Sequence, residues 1–294
     1  MLRVENVRKT YGGRPVLTDV SFDIADRRIT GFVGANGAGK TTTMRIMLGV
    51  LNADSGRVMM DNRVLTPDDR RIFGYMPEER GLYPKMRLAE QIVYFGRLHG
   101  MTRAAAESST AGLLERLEIA ARSNDEVGSL SLGNQQRAQI AAALVHEPEV
   151  LILDEPFSGL DPLGVDTVLD VLRDAALKGA PVLFSSHQLD LVERLCDDLI
   201  IIADGAIRAN GTPESLRAEH SHSSYDILLE GDAGWLRDVD GITVTELDGS
   251  HAVFAADDPA AAQRVLSRAV TLGGVREFAP LRRPLAQIFK EIVR

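Results

Sequence analysis

The chain has 294 residues, 45% hydrophobic and 26% charged, enough for one large domain or two smaller ones. Its formal net charge of −9 argues against a nucleic-acid binder, which draws on a basic face. A single cysteine, Cys196, excludes an internal disulfide, points to a reducing compartment, and reads in LVERLCDDLIII as a packing thiol.

No stretch approaches the ~20 apolar residues of a membrane helix, and MLRVENVRKTYGG has no apolar signal region. A soluble protein, or one held to a membrane by something else, is expected. LRVENV and VLTDVSFDI alternate like half-buried strands, and ITGFVGA is a short apolar run closing on glycines. Directly after it comes GANGAGKT, with the G-x-x-x-x-G-K-T spacing of a phosphate loop and the helical run TTTMRIMLGVL behind it. Glycines there let backbone N–H groups wrap phosphates, Lys40 reaches the β and γ phosphates, and the Thr41 hydroxyl binds Mg²⁺. The candidate nucleotide contacts are Gly34, Ala35, Asn36, Gly37, Ala38, Gly39, Lys40, Thr41 and Thr42.

GRVMMDNRVL reads as a hairpin with DN as its turn, and from about 86 to 146 the pattern is helical. The last of these helices starts at SLSLGNQQR, where Ser and Asn are good caps and the N–H groups could hold an anion. An ordinary cap that binds nothing is the alternative. VLILDEP follows as an apolar strand. Asp154 at its end can hold Mg²⁺, and Glu155 beside it can orient or polarise an attacking water. GVDTVLDVLRDAAL (helix), PVLFSS (strand), HQLDLVERLC (helix) and LIIIADG (strand) complete an alternation that predicts a mostly parallel sheet covered on both faces.

GTPESLRAEHSHSSYD is polar and turn-rich and marks a boundary, with His220 and His222 read as linker imidazoles and not a metal site. Beyond it, YDILLEG, ITVTEL and HAVFAA read as strands, PAAAQRVLSRAV as a helix, VREFAPL as extended and PLAQIFKEIV as a helix. That order predicts a small α+β domain over 222–294, ferredoxin-like, with Trp235 and Phe254 in its core.

Taken together, GANGAGKT, LSLGNQQ, LILDEP, GLD at 159–161 and SSHQLD resemble, in order and spacing, the ATPase subunit of an ABC transporter. The resemblance covers about residues 1–218. It implies an α/β P-loop NTPase fold of ABC type with a helical subdomain at about 86–146, and hydrolysis of ATP with Mg²⁺. In that family the segment matching LSLGNQQ caps the ATP held by a second subunit, so Ser131, Gly133 and Asn134 would contact the partner's γ-phosphate. Two chains placed head to tail would then make an ATP sandwich. Gly159 to Asp161 would run along the interface, with Asp161 at the nucleotide, and His187 would orient the γ-phosphate. Tyr11 matches the position that stacks on adenine, and Val16 would line the same pocket.

Leu132 and Asn134 depart from the family pattern, yet Ser131 and Gly133 keep the cap workable. Glu78 stands where Gln is usual: it can offer oxygen to Mg²⁺ but cannot donate a hydrogen bond unless protonated. PEERGLYP, LSLGNQQ and the tail PLAQIFKEIVR resemble the ATPases of bacterial ABC-2-type exporters of the sodium- and drug-efflux kind. The implied setting is peripheral, at the cytoplasmic face of a bacterial membrane, with an integral permease, a second ATPase subunit and no nucleic acid. The permease would dock on the helical region. A soluble ABC-type ATPase working on nucleic acid or ribosomes would usually insert a coiled coil, zinc modules or a second ATPase copy, and none is visible. A regulator without turnover would not need Lys40, Asp154, Glu155 and His187 together.

Overall fold

Two pairs of left-handed residues fold the amino-terminal strands back on themselves. β1 (Leu2–Tyr11) returns through Gly12 and Gly13, both at positive φ, into β2 (Arg14–Ile24). β3 (Ile29–Val33) is buried at every position and leads to α1 (Lys40–Met47). β4 (Ser55–Met60) and β5 (Arg63–Val64) form the expected hairpin. Asp61 and Asn62 sit at φ 50° and 64°, as a type I′ turn requires. The computed structural model describes the chain except Arg80 and residues 221–223, 282–284 and 293–294, with Asp190 and His220 described in backbone alone.

β6 (Phe73–Met76) is followed by α2 (Leu88–Leu98), α3 (Arg103–Arg116) and α4 (Leu132–Leu144), which fall within the region expected to be helical. Then come β7 (Val150–Asp154), α5 (Pro162–Leu177), β8 (Val182–Ser186), α6 (Leu189–Leu195), β9 (Asp198–Ala203) and β10 (Ala206–Gly211). The parallel sheet is present, in the order β10-β9-β3-β8-β7-β6, with only β10 antiparallel. β3, β7 and β8 are buried throughout, as strands with helices on both faces must be. The alternation along the sequence did not foretell the second sheet of this unit, antiparallel in the order β2-β1-β4-β5. Phe22, Phe32, Met44 and Ile152 share one apolar core.

The chain divides into two compact units, 1–213 and 214–292. The segment read as turn-rich contains α7 (Pro213–His220), an eight-residue helix. Gly211 and Thr212 before it and Pro213 at its first position are helix-start residues as much as turn residues. His222 lies outside the described residues.

The second unit runs β11 (Ser224–Leu229), β12 (Ile242–Asp248), β13 (His251–Ala256), α8 (Pro259–Leu272), β14 (Val275–Pro280) and α9 (Leu285–Ile292). Its sheet order, β12-β13-β11-β14 and antiparallel throughout, is the split βαβ order expected of a ferredoxin-like domain. The first crossover of that pattern is reduced to a 3₁₀ turn at Gly234–Asp238. Phe254 is fully buried in its core. Trp235 packs against that core, with the Arg268 guanidinium 5.0 Å from its ring centre.

Candidate functional site

Parallel neighbours end on the same edge, and in this sheet that edge gathers the chemistry. β3 ends at the glycine loop, β8 at His187, β7 at Asp154 and β6 two residues before Glu78. Open α/β sheets hold ligands in such crevices at the carboxyl ends of their strands. A cleft of about 420 Å³ lies here, lined by Val16, Asn36, Lys40, Thr41, Glu78 and Glu155 among others.

The loop is shaped before any ligand arrives. Gly37 and Gly39 take φ of 82° and 110°, open to glycine at little cost. A β-carbon on Gly34 would lie 2.4 Å from the Ile202 carbonyl oxygen, so the loop can pass there only as glycine. Ala38 contributes its methyl to the core, leaving only its backbone to the loop. Gly39 caps α1 without a side-chain bond, and the helix opens toward the cleft with no acidic residue in its first turn. Uncapped N–H groups at a helix start suit an anion.

Lys40 is buried, its Nζ donating to the carbonyls of Gly34 (2.6 Å) and Ala35 (3.3 Å). Burial pulls its ammonium below the ordinary lysine range, opposed by the carboxylates of Glu155, Asp154 and Glu78. The Thr41 hydroxyl donates to Asp154 Oδ2 at 3.0 Å. Asp154 is buried, and its other oxygen accepts from the Ser185 hydroxyl. A hydroxyl and a carboxylate brought together beside an anion-binding loop fit a hard divalent cation, with Glu78 lining the same cleft.

Glu155 takes a left-handed backbone, φ 52°. Its N–H donates to Ser185 Oγ at 3.0 Å, and its carbonyl accepts from Gln136 Nε2 at 2.8 Å. Burial raises its carboxyl above the usual carboxylate range, opposed by the hydrogen bond and charge of His187 and the charge of Lys40. His187 Nδ1 lies 2.9 Å from Glu155 Oε1 and donates to it, while the ring stays exposed.

Other expected contacts are not among the residues lining this cleft. Ser131 caps α4, accepting from the Asn134 N–H at 3.3 Å, and Gly133 lies against the Gly159–Leu160 turn. Asp161 caps α5, its Oδ1 accepting from Gly164 at 2.7 Å. Tyr11, at the end of β1, is half exposed, with the Lys9 ammonium 5.6 Å from its ring centre. Sequence reasoning missed Ser185, Gln136 and Gln139. The available signals were a serine inside a fully buried strand and two glutamines on the alanine-lined buried face of α4.

The ABC transporter family model matches residues 17–158, and the model for the ATP-binding protein DrrA1-3-like, C-terminal domain matches 211–293. The uncharacterized ABC transporter ATP-binding protein YhaQ of Bacillus subtilis is 36% identical over 100% of this chain and 98% of its own length. The chain belongs to the ATP-binding proteins of ABC transporters. Nod factor export ATP-binding protein I of Bradyrhizobium diazoefficiens is 32% identical over 79% of this chain and 77% of its own. A solved ATP-binding subunit of an ABC transporter superposes with a TM-score of 0.69 at 32% identity, covering 74% of this chain and 92% of that one. This member is thus an ABC-transporter ATPase whose cassette carries a DrrA-like second domain.

Proposed function

We propose that this ATPase subunit powers export through a separate integral permease, working as a homodimer with two ATP molecules sandwiched between chains. The carrying observation is the convergence of Lys40, the Thr41–Asp154 pair and the Glu155–His187 pair on one cleft. Lys40 exchanges its loop carbonyls for the β and γ phosphates, and the N–H groups of Asn36 to Thr42 surround them. Thr41, Asp154 and Glu78 would hold Mg²⁺, which when bound neutralises phosphate charge and polarises the γ-phosphoryl group. Glu155, its carboxylate steered by the His187 Nδ1–H, accepts the proton of the attacking water. Val16 lines the cleft, and Tyr11 supplies an open ring for adenine.

Ser131, Gly133, Asn134 and Asp161 do not line their own chain's cleft, and Ser131 and Asp161 are exposed. That placement supports their serving the nucleotide of a second subunit. The permease docks in a groove of about 390 Å³ between β6 and the helical region, lined by Tyr75, Pro77, Leu82, Phe95 and His99 among others. No helix among the described residues is long and apolar enough to cross a membrane. A peripheral place at the cytoplasmic face of a bacterial membrane follows from the permease partner. Export as the direction rests on the Nod factor export relative and the DrrA-like second domain.

The test is Glu155→Gln in the full chain. Turnover should fall at least a hundredfold while ATP still binds and now holds the chain as a dimer in sedimentation. Unchanged turnover would remove Glu155 from its role. Pulldown of the tagged chain from detergent-solubilised membranes should recover a polytopic protein; recovery of nucleic acid or ribosomes instead would defeat the transport reading.

A further inference from the structure

α4 carries two buried glutamines one turn apart, Gln136 and Gln139, each 4% exposed. Gln136 Nε2 donates to the Glu155 carbonyl at 2.8 Å. Gln139 Nε2 reaches the carbonyls of Pro77 (3.4 Å) and Glu79 (3.3 Å), one on each side of Glu78. One helix thus grips the backbone at both acidic positions that flank the phosphate loop. Ala138 and Ala141, beside them on the helix, are fully buried and offer no polar alternative.

The grip matters most at Glu155. Its left-handed φ of 52° is a conformation a β-carbon disfavours, so surrounding bonds must hold it. Those bonds are its N–H to Ser185 Oγ, the Ser158 N–H at 3.2 Å to its carbonyl, and Gln136 on that same carbonyl. Ser185 and Ser158 follow the strand and turn of the cleft itself. Gln136 alone among them comes from the helix that Ser131 caps. At a rise of ~1.5 Å per residue, Gln136 and Gln139 lie about 7.5 and 12 Å along the axis from that cap.

We propose that Gln136 is a positioning residue for Glu155. With Gln139, it makes α4 a rod that carries engagement of the Ser131 end to the acidic residues of its own cleft. On the ATP-sandwich reading above, on which this rests, the ATP that meets Ser131 belongs to the partner. Binding at one site therefore sets the glutamate of the other. The coupling runs through a donated hydrogen bond, so shape alone does not preserve it.

The experiment compares Gln136→Met and Gln136→Glu with the parent in the full chain, following ATPase rate against ATP concentration and pH. Both variants should lower kcat at least tenfold with KM for ATP within threefold, and the Hill coefficient should fall from above 1 to 1. A protonated carboxyl can donate where a carboxylate cannot. The activity of Gln136→Glu relative to the parent should therefore climb as pH falls, while the Gln136→Met ratio stays flat. Parallel ratios for the two variants at every pH, parental kcat in Gln136→Met, or a parental Hill coefficient of 1 would each overturn the proposal. If Gln136 variants do not fold, Gln139→Met carries the test: it should lower the Hill coefficient, and a parental value overturns the coupling. Full turnover in Glu155→Gln would remove the underlying reading and is seen separately.

Discussion

Glu155 is held by bonds to its N–H, its carbonyl and its carboxylate, and its carboxyl bears the consequence. Burial raises it above the ordinary carboxylate value of about 4.3, with His187 and Lys40 pulling the other way. As the proposed base, Glu155 must be unprotonated to act, so kcat should fall on the acid side at a pH higher than a free glutamate would set. The fold disfavours the charged form, so Glu155 costs stability at pH above its raised value and costs none below the ordinary one. Glu155→Gln should accordingly raise the melting temperature at neutral pH, with the gain vanishing as the pH is lowered toward 4. A variant that melts no higher at pH 7.5 would place the carboxylate in better-solvated surroundings than those described. On the proposed reading, activity here is bought with local stability, a common arrangement at functional sites.

At the scale of elements, α4 joins two roles that one substitution can separate. Ser131 is its cap, and on the proposed reading also the contact to a partner's phosphate. Ser131→Ala should lower stability by about 1 kcal/mol, the usual worth of such a cap. Ser131→Asp should keep that stability, since aspartate caps equally well, yet abolish ATPase activity by setting a carboxylate against phosphate. A Ser131→Asp chain with parental activity would leave α4 only a capped helix. The loop, Asp154 and Glu155 were legible in the sequence as candidates because each lies within a few residues of a strand end. Ser185, Gln136 and Gln139 were not, because their partners lie 31, 19 and 60–62 residues away and only the packed sheet brings them close. The same limit hid the β1–β4 pairing that joins two local hairpins into the antiparallel sheet of the first unit. α7 was missed for a local reason, its polar composition reading as turn. Asp161 shows the converse: the family pattern marks it, and the fold uses it as the cap of α5.

The whole molecule is two compact units with separate cores, and all the cleft residues belong to the first. Calorimetry should resolve two transitions, and ATP with Mg²⁺ should raise only that of 1–213. At a hundred times Kd the gain is about 2.7 kcal/mol. A single transition, or one in which both units shift together, would mean that they unfold as one. The order of strands has a different outcome during synthesis. β3 is third from one edge of the six-stranded sheet, paired on its two sides by β8 and β9, which begin about 150 and 165 residues after it ends. At roughly 5–20 residues per second, both edges of that wholly buried strand stay unpaired for about 7–30 s as the chain leaves the ribosome. Nascent-chain chaperones would find their longest-lived target there, and the phosphate loop acquires its shape only when nearly the whole first unit has been made.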